Sequence, residues 1–222
     1  MSGPASKLAR LLVFDLDGTL VDSSRDIAAA ANAALARVAP GAAPIPLDAV
    51  LSYVGEGARL LVERCLAHVG SGLTADEVLP VYLECYASRL LDTTYLYPGI
   101  PEALEALARP TLAVLTNKPG DMSRAILDGL GVGPRFARVW GPGDVPARKP
   151  DPAGLVRLIA ELGSSPDETW MIGDSATDVA AARAAGVRVA GVTWGFHPGA
   201  LRAARPDRLF DRPAELAALA NA

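Results

Sequence analysis

The feature that most restricts this fold is an unbroken apolar run, Leu11-Leu12-Val13-Phe14, that stops at an aspartate, Asp15. A strand covered on both faces reads this way, because neither face meets water. Similar runs recur at Leu112 to Leu115, Thr169 to Ile172 and Val187 to Val192. Helical stretches separate the later runs, at Pro119 to Leu130, Pro152 to Leu162 and Ser175 to Ala185. Strand and helix alternate, which predicts an α/β fold with a mostly parallel sheet.

The interval after the first run breaks this alternation. From about Asp22 to Leu91 the apolar positions fall at helical spacing, in Ile27 to Leu35, Leu60 to Val69 and Val78 to Leu91. A proline-rich loop, Pro40 to Pro46, interrupts them, and Pro80 marks a helix start nearby, since it would break a helix interior. Such a block does not fit between neighbouring strands of one sheet. It reads as an inserted, all-helical cap, residues 22–92, with hinges near Leu20 to Ser23 and Thr93 to Gly99. Residues 1–21 and 93–222 then form the core.

With 222 residues, half of them hydrophobic, the chain can bury such a core without cross-links. Cys65 and Cys85 sit in no metal-type pair and read as buried thiols of a reducing, cytoplasmic protein. The net charge of −4, with no basic stretch, argues against a nucleic-acid partner. No apolar segment is long enough to cross a membrane, and Asp15 cuts the first run short of a signal-peptide core.

Three of the runs end in polar chemistry: Asp15-Leu16-Asp17-Gly18-Thr19, Thr116-Asn117-Lys118, and Gly173-Asp174-Ser175 with Asp178 following. Parallel strands would bring these ends to one rim, with Lys149 in an adjoining loop. Asp15, Asp17, Asp174 and Asp178 would there be too close to stay anionic unaided, and Mg²⁺ would resolve the conflict. A carboxylate is ionised at neutral pH without a base, so Asp15 can attack phosphorus and form an aspartyl phosphate. Asp17, two residues on, points the same way on an extended chain and can serve as general acid and then base. Gly18, Thr116, Asn117 and Lys149 are the candidate phosphate-binding residues. Gly18 allows close backbone approach, Thr116 offers a hydroxyl among backbone N–H groups, and Lys149 supplies charge for the transition state.

Asp15-Leu16-Asp17-Gly18-Thr19-Leu20, Thr116-Asn117-Lys118, Arg148-Lys149-Pro150-Asp151-Pro152 and Gly173-Asp174-Ser175-Ala176-Thr177-Asp178 resemble the four ordered motifs of the haloacid dehalogenase superfamily. The similarity runs from about Leu11 to Leu219. It implies a Rossmann-like core with helices on both faces and a cap inserted after the first motif. It also implies Asp15 as nucleophile and Asp17 as acid/base. Asp15, the Asp17 carbonyl and Asp174 would hold Mg²⁺, with Asp178 in support. Val21-Asp22-Ser23, Val54-Gly55-Glu56-Gly57-Ala58, Leu96-Tyr97-Pro98-Gly99 and Gly191-Val192-Thr193-Trp194-Gly195 resemble stretches of the phosphoglycolate phosphatase subfamily.

Blander readings stand beside these. Asp-Gly favours turns, Lys149 could be a surface lysine, and Asp174 and Asp178 could merely cap a helix. Ser175 reads as a cap residue, not a nucleophile. Arg59 and Lys118 are candidates for a second anionic group of the substrate, although a solvated face is the default for Arg59 and for Arg64. His197, in a turn-rich loop, receives no role. The expected activity is hydrolysis of a small phosphorylated metabolite, best matched by 2-phosphoglycolate, in a monomer or homodimer. The alternatives are a sugar phosphomutase of the β-phosphoglucomutase type and a catalytically inactive binding module. A dehalogenase is disfavoured because that branch lacks the second aspartate.

Overall fold

The computed structural model describes residues 8–221, so the start of the expected core segment lies outside the described residues. Strand β1 (Leu11–Phe14) lies inside the sheet. Leu12 and Phe14 pack with Leu104, Ile126 and Leu127 on one face. Leu11 and Val13 pack with Leu155, Leu158 and Val179 on the other. Both faces are covered, and that is why the run is continuous. Burying one such side chain contributes about 1.5–3 kcal/mol.

The chain continues through β2 (Val21–Asp22) into four helices, α1 (Ser24–Val38), α2 (Leu47–Leu51), α3 (Ala58–His68) and α4 (Ala75–Ala87). It returns through β3 (Tyr95–Leu96) to α5 (Ile100–Ala106), β4 (Thr111–Leu115), α6 (Gly120–Gly129) and β5 (Arg138–Trp140). The rest forms α7 (Ala153–Glu161), β6 (Thr169–Gly173), α8 (Ala176–Ala184), β7 (Arg188–Val192), α9 (Pro198–Ala204) and β8 (Arg208–Phe210).

Among the described residues the main sheet has six strands in the order β5-β4-β1-β6-β7-β8, all paired in parallel. Phe14 stands opposite Val114 on one side and Ile172 on the other. The chain builds outward from β1 in one direction, then crosses to build in the other. The carboxyl ends of β4, β1 and β6 therefore meet where the strand order reverses, the usual place for a ligand in such sheets. Edge strands β5 and β8 and helices α5 and α9 were not expected from the sequence. Each of these strands has only three residues, partly exposed, and shows no continuous apolar run.

Helices α1 to α4 bury an apolar cluster of their own, including Ile27, Leu35, Leu61, Val78 and Tyr86, with Met122 of α6 at its border. Pro80 does not mark a helix start. It lies inside α4, which begins five residues earlier, where Thr74 and Glu77 form a reciprocal capping box. The two crossings pair as antiparallel β2 and β3, with Val21 opposite Leu96 and Asp22 opposite Tyr95. Beside them the buried Asp26 carboxylate accepts bonds of 2.6–3.1 Å from the amides and hydroxyls of Thr93 and Thr94. Burial favours its neutral form, but these donors prevail and hold the carboxyl below its usual range. Among the described residues no helix is long and apolar enough to cross a membrane.

Candidate active site

Asp15 continues the line of β1, its N–H donating to the Ile172 carbonyl at 2.8 Å. Its Oδ1 accepts from the Leu16 N–H at 2.8 Å and lies 2.9 Å from Lys149 Nζ. The chain then doubles back, with the Gly18 N–H donating to the Val21 carbonyl at 2.9 Å. Gly18 has φ of 78°, and a Cβ there would lie 2.3 Å from Asp174 Oδ2. Only glycine meets both demands. Its missing side chain is the space the Asp174 carboxylate fills.

One oxygen from each of Asp15, Asp174 and Asp178 can be chosen so that all lie within 4.8 Å of one another, and all three residues are buried. Lys149 Nζ bridges Asp15 and Asp178, donating to Asp178 Oδ1 at 2.7 Å. The other Asp178 oxygen accepts from the Ser175 N–H at 3.1 Å and its hydroxyl at 2.6 Å, which caps α8. Asp178 is thus both helix cap and site carboxylate, and Ser175 is the cap residue its sequence position suggested. Asp174 accepts from the Phe196 N–H at 2.7 Å.

Three buried carboxylates around one ammonium leave negative charge uncompensated. Burial raises Asp15, Lys149 opposes and Asp178 adds, and the result stands at about 6. Burial, then Asp178 and Asp15, push Asp174 well above the usual carboxylate range. Lys149 is disfavoured as a cation by burial, yet its two carboxylates hold it above its ordinary value. An all-oxygen, over-anionic cluster of this kind fits a hard divalent cation.

The Asp17 carboxylate is not part of that cluster. Both its oxygens lie 2.8 Å from Lys118 Nζ, and Oδ1 also accepts from the Ser23 hydroxyl at 2.5 Å. The expected knot of four aspartates is therefore three plus one. The turn at Gly18 gives Asp17 its own side of a cavity that Asp15 and Asp174 also line, together with Ile27, Leu61, Tyr82 and Tyr86 of the helical layer. Its volume is about 50 Å³, far below the ~300–1,000 Å³ of drug-sized pockets. Lys118 Nζ lies 4.4 Å from the centre of the Tyr86 ring, which is stacked on Tyr82.

Thr116, at the end of β4, is buried in the cavity wall, and its Oγ1 accepts from the Lys118 N–H at 3.2 Å. Asn117 lines the cavity too, with its side chain engaged elsewhere. Its side-chain amide donates to the Gly55 carbonyl at 2.9 Å and the Lys149 carbonyl at 2.8 Å, so its amide protons are not available to a phosphate. Arg59 does not line the cavity. Its guanidinium pairs with Asp76 at 2.8 Å, and its side chain is 45% exposed. Sequence reasoning missed Tyr82, Tyr86, Phe196 and His197, which do line it. The i, i+4 spacing of the two tyrosines on α4 and the position of Phe196-His197 beyond β7 were the available signals.

Residues 9–186 match the family model for haloacid dehalogenase-like hydrolases. Phosphoglycolate phosphatase 1 of Pseudomonas aeruginosa is 41% identical over 203 residues, 88% of this chain and 73% of that protein. The phosphoglycolate phosphatase of Haemophilus influenzae is 38% identical over 217 residues, 93% of this chain and 96% of that one. A crystal structure of a predicted phosphoglycolate phosphatase from Haemophilus somnus superposes with a TM-score of 0.88 at 33% identity, covering 96% of this chain and 98% of the other.

Proposed function

The chain belongs to the haloacid dehalogenase-like hydrolases, and on that footing we propose that it hydrolyses 2-phosphoglycolate through a phosphoryl group carried on Asp15. The observation that carries this reading is the separation of Asp15 from Asp17. Both residues line the small cavity, Asp15 held against Lys149 in the buried cluster and Asp17 against Lys118.

Asp15 attacks phosphorus while the bond from phosphorus to the ester oxygen breaks. Asp17 protonates the departing oxygen, then takes a proton from the water that attacks the phosphorylated Asp15. Lys149 offsets charge on the phosphoryl oxygens, and Thr116 with nearby backbone N–H groups holds them. Asp15, the Asp17 carbonyl and Asp174 would hold Mg²⁺, with Asp178 in support, and the bound ion would supply further charge to the phosphoryl group. Residues 22–92 act as a cap over a core of residues 1–21 and 93–222. The separate apolar cluster of α1 to α4 and the β2–β3 pair support that division. Lys118 receives the substrate carboxylate, as a lysine in the cavity wall.

The test is phosphate release from phosphoglycolate, sugar phosphates, nucleotides and an aryl phosphate, with Mg²⁺ or with chelator. Phosphoglycolate should be turned over best, and chelator should abolish activity. Full activity in chelator, or a clear preference for a sugar phosphate with isomerisation, would overturn the reading.

A further inference from the structure

We infer that His197 is a positioning residue that latches the helical layer over the active site. The inference rests on the hydrolytic reading above and adds a residue to it. His197 Nε2 lies 3.0 Å from the carbonyl of Val54, in the loop between α2 and α3. A carbonyl only accepts, so Nε2 carries the proton and donates it.

The loop that presents His197 is seated on the catalytic centre residue by residue. The Trp194 indole N–H donates to the Thr19 carbonyl at 3.1 Å, and the Phe196 N–H donates to Asp174 Oδ2 at 2.7 Å. Between them Gly195 has no room for a side chain, since a Cβ would lie 2.3 Å from both the Gly18 carbonyl oxygen and Asp174 Cβ. On the far side the His197 carbonyl accepts the Leu201 N–H at 2.9 Å and starts α9. The imidazole therefore projects from a fixed base.

Its target is the cavity wall itself. Val54, Gly55 and Gly57 line the cavity, and the next carbonyl along, Gly55, is held by Asn117 at 2.9 Å. Two successive carbonyls of one loop are thus gripped by two side chains from the ends of different strands. A two-carbon substrate offers few contacts with which to hold this wall closed, so the protein must do so. An aryl phosphate brings apolar surface of its own to a wall that includes Ile27, Leu61 and Tyr82, and should depend on the latch less.

The experiment compares His197→Phe, which keeps an aromatic ring but loses the donor, with His197→Gln, which restores an N–H. Assays use Mg²⁺ with phosphoglycolate or an aryl phosphate, and hydrogen exchange follows the loop. Loss of one hydrogen bond should lower kcat/KM for phosphoglycolate about tenfold in His197→Phe and change the aryl ester far less. Exchange in residues 50–61 should rise while β6 stays protected, and His197→Gln should restore both readouts. If His197→Phe loses its cooperative melt, His197→Asn, too short to reach Val54, takes its place. Wild-type exchange and kinetics in the donor-less variant, or failure of His197→Gln to restore the loop, would overturn the latch. If wild-type protein does not hydrolyse phosphoglycolate, the hydrolytic reading falls, and the exchange comparison still decides whether His197 holds the loop.

Discussion

Lys118 Nζ lies 2.8 Å from both carboxylate oxygens of Asp17, and both residues line the cavity. Lys118 is buried and Asp17 partly so, with Lys118 resting on the Tyr86 ring. An anionic substrate must compete with Asp17 for this ammonium, and a carboxylate does so better than an aryl ring. Lys118→Met keeps the apolar stem and removes the charge. It should cost about 1.5–3 kcal/mol of phosphoglycolate binding, or roughly 10–100-fold in KM, and much less for an aryl phosphate. Equal losses on both esters, read from steady-state kinetics, would leave the carboxylate without its assigned partner.

Asp26 ties the two crossings together through Thr93 and Thr94. Asp26→Ala removes the acceptor of four donors, two of them on the buried Thr94, and should destabilise the protein by about 2–4 kcal/mol in urea unfolding. Its carboxyl is held below the ordinary value of 3.8. The folded state therefore favours the ionised form, and that stabilisation is present above pH 3.8 and lost as the pH falls through the lowered value. The gap between wild type and Asp26→Asn should accordingly narrow below pH 3.8. A gap that stays constant into stronger acid would contradict the charged role.

The parts legible in the sequence are those where one residue's neighbours lie along the chain. Strands β1, β4, β6 and β7 announce themselves because both faces are buried, and the motifs at the ends of β1, β4 and β6 follow directly. Edge strands β5 and β8 lack that pattern. Asp17 looked like a fourth member of the aspartate cluster because i and i+2 coincide on an extended chain, but the turn at Gly18 ends the extension. Arg59 looked available because Asp76, which takes its guanidinium, is a neighbour only in space. The His197 contact is to a backbone carbonyl far away in the chain, and a carbonyl has no sequence signature.

Asp15 makes stability in chelator depend on pH. Its carboxyl rises from an ordinary 3.8 to about 6, so the folded state binds the proton more tightly than the unfolded one. Stability contributed by this group then falls as the pH rises from 3.8 to about 6, the reverse of Asp26. Above that range the metal-free protein carries the full cost of the ionised cluster. Asp15→Asn should therefore be more stable than wild type in chelator at neutral pH, by about 1–3 kcal/mol, and the gain should vanish toward pH 4. Mg²⁺ should stabilise wild type more than the variant. Denaturant titrations at several pH values measure both, and a variant less stable at neutral pH would refute the charge argument.

Asp17→Asn separates the two aspartates most sharply. Asp17 touches Lys118 and Ser23, so its replacement leaves the Asp15, Lys149 and Asp178 network in place. Loss of general acid–base help should slow phosphoglycolate turnover ~10²–10⁴-fold, or about 3–5.5 kcal/mol. Which step slows depends on the leaving group. The alkoxide of glycolate leaves poorly without a proton, so phosphorylation of Asp15 itself becomes slow and little intermediate accumulates. An aryl oxide leaves with little help, so Asp15 is still phosphorylated and water attack, now without its base, limits turnover. The variant should then release a burst of aryl alcohol, no more than the number of active sites, followed by a slow phase. Intact-protein mass spectrometry should find the added phosphoryl group, and Asp15→Asn should show neither burst nor label. Wild-type turnover of phosphoglycolate by Asp17→Asn would remove Asp17 from the acid/base role.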